Sequence, residues 1–198
     1  RDKSFAKMSM DDFRLVLEVH LMGAAHCTHA VWDTMREQHY GRIVMTTSCS
    51  GLYGNFGQAN YAAAKMGLVG LMQTLGIEGA KHDIRVNCLA PTGKTRMMEG
   101  ILPDAQLSKF KPELVSPAVL ALVGEQAPNR AILSAGAGGF ELVQLTMTQG
   151  IALGEAATAE AILSQWSTLA DRSDALVPET GFDQARHELR KSGFQIEA

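Results

Sequence analysis

The chain has 198 residues, a formal net charge of −3 and a composition ordinary for a globular protein, 46% hydrophobic and 20% charged. That length supports one substantial core, and the charge gives no sign of a nucleic-acid-binding or anionic-membrane surface. Three cysteines (Cys27, Cys49, Cys88) without a CxxC pair argue against a disulfide framework or zinc knuckle, and no apolar run is long enough to cross a bilayer.

In chain order, "SMDDFRLVLEVHLMGAAHCTHAVWDTMREQH" is the first helix candidate. Ser9 with Asp12 three residues on resembles a capping box, and Phe13, Val16, Leu17, Leu21, Ala24 and Ala25 form a helical apolar stripe. Gly23 would loosen its middle, so a bend is expected there. "RIVMTTS" is short, β-branched and apolar on both faces, as a buried parallel strand reads. A second helix runs from about Ala59 to Lys81, lined by Ala62, Ala63, Ala64, Gly67 and Gly70 as if another backbone packs close. "DIRVNCLAP" is a second buried strand, expected to stop at Pro91. The polar stretch that follows reads as a mobile loop, and then come a helix from Pro117 and a strand "RAILS".

Alternating strands and helices indicate an α/β fold with an open parallel sheet over residues 1–140. From about Glu141 the pattern changes to a C-terminal extension or cap, 141–198, with surface helices in "GEAATAEAILSQWSTLAD" and "GFDQARHELRKSG". The cysteines are expected to be reduced and partly buried, as in a cytosolic protein.

One stretch carries chemistry. In "SCSGLYGNFGQANYAAAK", Ser48 follows the first strand, and Tyr61 and Lys65 lie four apart, so on a helix both point the same way. A free tyrosine, with a pKa near ~10, is a poor base at neutral pH. A lysine ammonium one turn away favours the phenolate and makes Tyr61 a candidate acid/base. Taken alone, the pair reads equally as an interfacial tyrosine and a solvated lysine.

Strand–Ser, Tyr-x-x-x-Lys on the next helix, and a strand ending Asn-x-x-Ala-Pro together resemble the short-chain dehydrogenase/reductase family. "VHLMG", "YGRIVMTTSCSGLYGNFGQANYAAAKMGLVGL" and "KPELVSP" are similar, more narrowly, to the R-3-hydroxyacyl-CoA dehydrogenase branch found in peroxisomal multifunctional enzymes. The resemblance implies a Rossmann-like, doubly wound parallel sheet and an NAD(P)-dependent oxidoreductase that interconverts a secondary alcohol and a ketone. NAD is the expected cofactor, with NADP left open, and an acyl-CoA the expected small-molecule substrate. It further implies a homodimer or homotetramer with the two long helices at the interface. In this reading Tyr61 is the acid/base, Lys65 its electrostatic partner and ribose anchor, and Ser48 a hydrogen-bond donor to the substrate oxygen. Pro91 and Thr95 would lie against the nicotinamide, and Leu52, Tyr53 and Phe56 would line an apolar substrate pocket or simply pack their loop. The polar loop from Thr95 to Lys111 would close over the substrate.

Three departures qualify this. Where the family pattern has an asparagine in the first helix, this chain has His20, either catalytic or packed. "PTGKT" sets Thr95 slightly out of the common register. "SAGAGGF" fails the G-x-G-x-x-G pattern because Glu141 takes the third glycine position, so a turn into the tail is expected. His26, Cys27 and His29 lack a third ligand at suitable spacing, which makes packing or subunit contact the expectation and metal none.

The family's glycine-rich cofactor loop is not among these residues. The chain is therefore expected to correspond to the C-terminal two-thirds of such an enzyme and to expose a sheet edge. Another substrate (a steroid, other carbonyl compound or acyl-carrier-bound ketoacyl group) is the enzymatic alternative. A non-catalytic oligomerisation or scaffold fragment is the other. "FQIEA" is not a Ser-Lys-Leu address, so a cytoplasmic location is expected.

Overall fold

Ser9 turns its hydroxyl onto the Asp12 amide (3.1 Å), satisfies a free donor of the first turn and starts helix α1 (Met10–Leu17). The structure is a computed structural model and describes residues 1–95, 100 and 103–194. The first helix is in three pieces: α1, a π-turn over Glu18–Met22, and α2 (Gly23–Glu37). The softness expected at Gly23 takes the form of this widened turn, closed by the Gly23 N–H donating to the Glu18 carbonyl five residues back.

Strands β1 (Gly41–Thr46), β2 (Ile84–Thr92) and β3 (Ile132–Gly136) are parallel and adjacent in that order, and β4 (Gly139–Val143) adds antiparallel to β3. Helices α3 (Cys49–Tyr53) and α4 (Ala59–Gly79) connect β1 to β2. The short α5 (Asp104–Leu107) and α6 (Ser116–Val123) lie between β2 and β3. Alternation along the strands feeds two cores. On one face Met45, Ile84, Val86, Cys88 and Ile132 pack with Leu68, Val69 and Met72 of α4. On the other, Leu89 and Ala135 meet Ala118 and Leu122 of α6. Each large apolar side chain fully buried this way stabilises the fold by roughly 1.5–3 kcal/mol. A central β2 covered on both faces is why its sequence reads as a continuous apolar run.

Three expectations are corrected. β2 does not stop at Pro91 but runs through it, with Pro91 opposite Ala135 of β3. Beyond Leu89 the β1 ladder has ended, so β2 there has a neighbour on one side only, where proline is tolerated. "SAGAGGF" is a hairpin rather than a turn into a tail: Ala137 and Gly138 both have positive φ (53° and 83°), the two-residue geometry that matches strand twist. Glu141 therefore belongs to β4, and the chain divides between Val143 and Gln144 instead of at 140.

The unit from Gln144 onward has its own local order. Thr158 caps α7 (Ala159–Ser164), Gln165 interrupts what reads as one helix, and α8 (Trp166–Leu169) follows. Thr180 and Asp183 form a reciprocal capping box on α9 (Gly181–Lys191). Met147 bridges Leu176, and the His187 ring nitrogen Nε2 lies 3.1 Å from the Gln149 carbonyl. No described helix is long and apolar enough to cross a membrane.

Candidate active site

The end of β1 and the middle of α4 are pinned to each other twice. Lys65 Nζ donates to the Thr46 carbonyl (2.7 Å), and Thr47 Oγ1 donates to the Lys65 carbonyl (2.7 Å). Lys65 is buried, and that burial lowers its pKa, a shift opposed by the Cys88 thiol group beneath it. Burial in turn pushes the Cys88 thiol up to about 12, against the pull of Lys65.

One turn before, Tyr61 places its ring centroid 5.5 Å from the Lys65 ammonium. The π-turn brings His20 to the same place: its ring meets that of Tyr61 edge to face, with centroids 5.2 Å apart and planes at 89°. Burial first and the Lys65 charge second lower the pKa of His20, which holds the imidazole neutral at physiological pH. Both His20 and Tyr61 are half-buried.

Ser48 caps α3, its Oγ accepting from the Ser50 amide at 3.2 Å, and stands two residues beyond Thr46. Its own proton meets only the Cys49 sulfur, a weak acceptor at 4.0 Å, and can turn to a better one. Helix α3 seats directly on α4 because residue 51 is glycine: a Cβ there would lie 2.9 Å from both the Lys65 Cβ and the Met66 nitrogen. Sequence reasoning saw the small residues of α4 but missed Gly51 as their counterpart, although it lies only three residues after Ser48. Not all of that stripe is covered within the chain, since Ala63 and Gly70 are exposed.

The remaining sequence candidates are dispersed. Leu52 packs against the main core, whereas Tyr53 and Phe56 are 71% and 90% exposed. Pro91 is half-buried within β2, and Thr95 is exposed just past its end. The loop proposed to close from Thr95 to Lys111 includes residues 96–99 and 101–102, which lie outside the described residues. Cys27 and Cys49 are exposed, contrary to the expected partial burial, and only Cys88 is buried. The reason is local: Thr28 takes the inward position of that turn of α2, which leaves His26, Cys27 and His29 facing out. Among the described residues no group of three or more His, Cys, Asp or Glu could hold a metal ion.

Beside this cluster a cleft of about 490 Å³ runs along β1 from Arg42 to Thr46. His20, Thr46 and Lys65 line it, while Ser48 and Tyr61 do not. Lys65 spends one of three N–H donors on Thr46, so two are left for a hydroxyl-bearing ligand. That donor set fits the ribose of a nicotinamide nucleotide.

The family model for short chain dehydrogenases matches residues 1–106. A peroxisomal multifunctional enzyme type 2 of Mus musculus is 43% identical over 204 residues, covering 98% of this chain and 28% of its own length. A short-chain type dehydrogenase/reductase of Mycobacterium tuberculosis is 44% identical over 178 residues, covering 89% of this chain and 62% of its own. Among solved structures, full-length peroxisomal multifunctional enzyme type 2 from Drosophila melanogaster superposes with a TM-score of 0.86 at 39% identity, over 97% of this chain and 36% of that one. The chain thus spans less than two thirds of the length of each of these relatives.

Proposed function

Because this chain belongs to the short-chain dehydrogenase family, we propose that it carries the proton-transfer half of an NAD(P)-dependent oxidoreductase acting on R-3-hydroxyacyl-CoA and 3-ketoacyl-CoA esters. The observation that supports this most is the convergence of Tyr61, Lys65 and His20 from two different helices beside the end of β1. A nicotinamide nucleotide, when bound, supplies the hydride acceptor for the alcohol carbon. Lys65 would hold its ribose through the two N–H donors that Thr46 leaves free.

In the oxidation direction, the substrate hydroxyl proton passes to the phenol oxygen of Tyr61. The Lys65 ammonium, 5.5 Å from the ring centroid, favours negative charge on that oxygen. Ser48 turns its hydroxyl proton from the Cys49 sulfur to the substrate oxygen, keeps it facing Tyr61 and spreads the charge as the carbonyl forms. In reduction the same groups work in reverse, with Tyr61 donating. The neutral His20 ring, carried on the π-turn, meets the Tyr61 ring edge to face and limits its freedom.

The acyl-CoA class rests on the resemblance of the "VHLMG" and "KPELVSP" segments to the hydroxyacyl-CoA branch. Self-association belongs to the same proposal, because Leu15, Val19, Met22 and Val31 stay exposed along α1, the π-turn and α2.

The test is Tyr61→Phe in the enzyme, with NADH absorbance followed on R- and S-3-hydroxyacyl-CoA esters. Turnover of the R ester is expected to fall at least ~10²-fold, the scale of a general acid/base. Near wild-type turnover in that variant refutes the assignment. Oxidation of a steroid but of neither ester replaces the substrate class and keeps the chemistry.

A further inference from the structure

One side chain with no part in the chemistry above is bonded to two other segments and to its own loop. Gln58 Nε2 donates to Asp2 Oδ2 at 2.6 Å, and its Oε1 accepts from Ser50 Oγ at 2.8 Å and from Asn55 Nδ2 at 2.9 Å. A carboxylate only accepts, so the amide nitrogen must face Asp2, and both lone pairs of the amide oxygen are then in use. The Gln58 backbone carbonyl accepts from the Ala62 amide at 2.7 Å, which places the residue at the start of α4, three positions before Tyr61.

Its partners lead to the other reacting group. Ser50 is buried and its amide donates to Ser48 Oγ, so Gln58 reaches Ser48 through a single intermediate residue. The loop between the two helices turns on Gly54 and Gly57, at φ 79° and 82°, and has little side-chain packing of its own. On the far side the Lys3 amide donates to the Gly57 carbonyl at 2.9 Å, so residues 2 and 3 grip the same loop by backbone as well.

We propose that Gln58 is a positioning residue that fixes Ser48 relative to Tyr61, with Asp2 as the group that locks its amide in place. This rests on the reading of Ser48 and Tyr61 as the reacting pair. Without the Gln58 side chain, Ser50 Oγ and Asn55 lose their shared acceptor, and the α3–α4 loop keeps the Lys3–Gly57 backbone bond but loses its side-chain tie to α3. A misplacement of about 1 Å between a reactant and a catalytic group costs up to about 10²-fold in rate.

The test compares Gln58→Ala, Gln58→Glu, Asp2→Asn and the double Gln58→Glu/Asp2→Asn in the enzyme, with Tyr61→Phe alongside. Gln58→Ala is expected to lower kcat about 10-fold or more with KM changed less than about threefold. Gln58→Glu keeps both acceptor bonds but sets a carboxylate against that of Asp2, so its turnover is lost at neutral pH and returns on acidification as the pair takes up a proton. In the double variant the new amide at position 2 donates to the new carboxylate, and turnover is expected within about threefold of wild type. The swapped pair decides the matter even where Gln58→Ala does not fold. Wild-type kcat in Gln58→Ala, a loss confined to KM, or a double variant no better than Gln58→Glu overturns the proposal. If Tyr61→Phe is fully active, it is instead the reacting-pair reading that fails.

Discussion

Asn87 lies at the centre of β2 with no exposed surface, in the "VNCLAP" segment. Its Nδ2 donates to the Pro128 carbonyl at 2.8 Å and the Leu122 carbonyl at 3.3 Å, and its Oδ1 accepts from the Ala131 amide at 2.9 Å. It thereby ties the end of α6 and the entry to β3 onto the central strand. Asn87→Asp preserves the shape and the Ala131 bond but removes both donors, so an ionised carboxylate would face two carbonyl oxygens without water. The side chain escapes by holding a proton, which restores one donor. Against an unfolded-state pKa of about 3.9, keeping that proton at pH 7 costs about 4 kcal/mol at ~1.4 kcal/mol per unit, and the missing second bond adds about 1 kcal/mol. The folded pKa of this carboxyl is raised, so the proton-holding cost is absent below about pH 4 and grows as pH rises until the folded group ionises. Urea unfolding followed by circular dichroism from pH 4.5 to 8 measures the difference between variant and wild type. A difference below about 1 kcal/mol, or one that does not change with pH, refutes the role assigned to Asn87.

Gly51→Ala gains about 1 kcal/mol of helix propensity. It forces a Cβ to within 2.9 Å of the α4 backbone, which cannot yield, and overpacking of about 1–3 kcal/mol outweighs the gain. A lowered melting temperature together with reduced turnover is expected, because α3 carries Ser48 away from Tyr61. At the opposite end of the strands, His82 has both ring nitrogens shielded and without a hydrogen-bond partner among the described residues, 5.2 Å from the His39 ring centroid. Its pKa is lowered from 6.5 by desolvation, then by Arg36, His39 and Lys81. The unfolded chain therefore binds the proton more readily, and stability falls as pH drops through 6.5 toward the folded pKa. His82→Gln is expected to flatten that decline in thermal melts between pH 7 and 5; an unchanged slope would assign the acid sensitivity to other groups.

The helix and strand order was legible because burial imposes distinct periods: two for the strands, three to four for the helices. The shared face of Tyr61 and Lys65 followed from spacing, since i and i+4 on α4 lie together, whereas His20 was named only through the family resemblance and its meeting with Tyr61 is a contact between two helices. Three features were not legible, each set by pairing that no local pattern announces. Pro91 reads as a stop, yet the ladder on its β1 side has already ended. Glu141 reads as surface tail, yet it pairs with Ser134 across a hairpin, the hydroxyl donating to the carboxylate at 2.6 Å. Gln58 reads as loop, because nothing local indicates that Asp2 and Ser50 converge on it.

The widened turn at Glu18–Met22 has an implication for how this helix tolerates insertions and deletions. A π-turn accommodates one residue more than the α-helix would, so α1 and α2 keep their own inward positions, Val16 and Thr28, across it. Removing a single residue there would let the backbone close into an uninterrupted α-helix while both ends stay in phase with the core. The imidazole of His20 would then rotate away from Tyr61 by about a quarter of a turn. The fold and the side-chain meeting thus draw on separable parts of the same helix: the flanking turns hold the architecture, and one surplus residue aims the histidine.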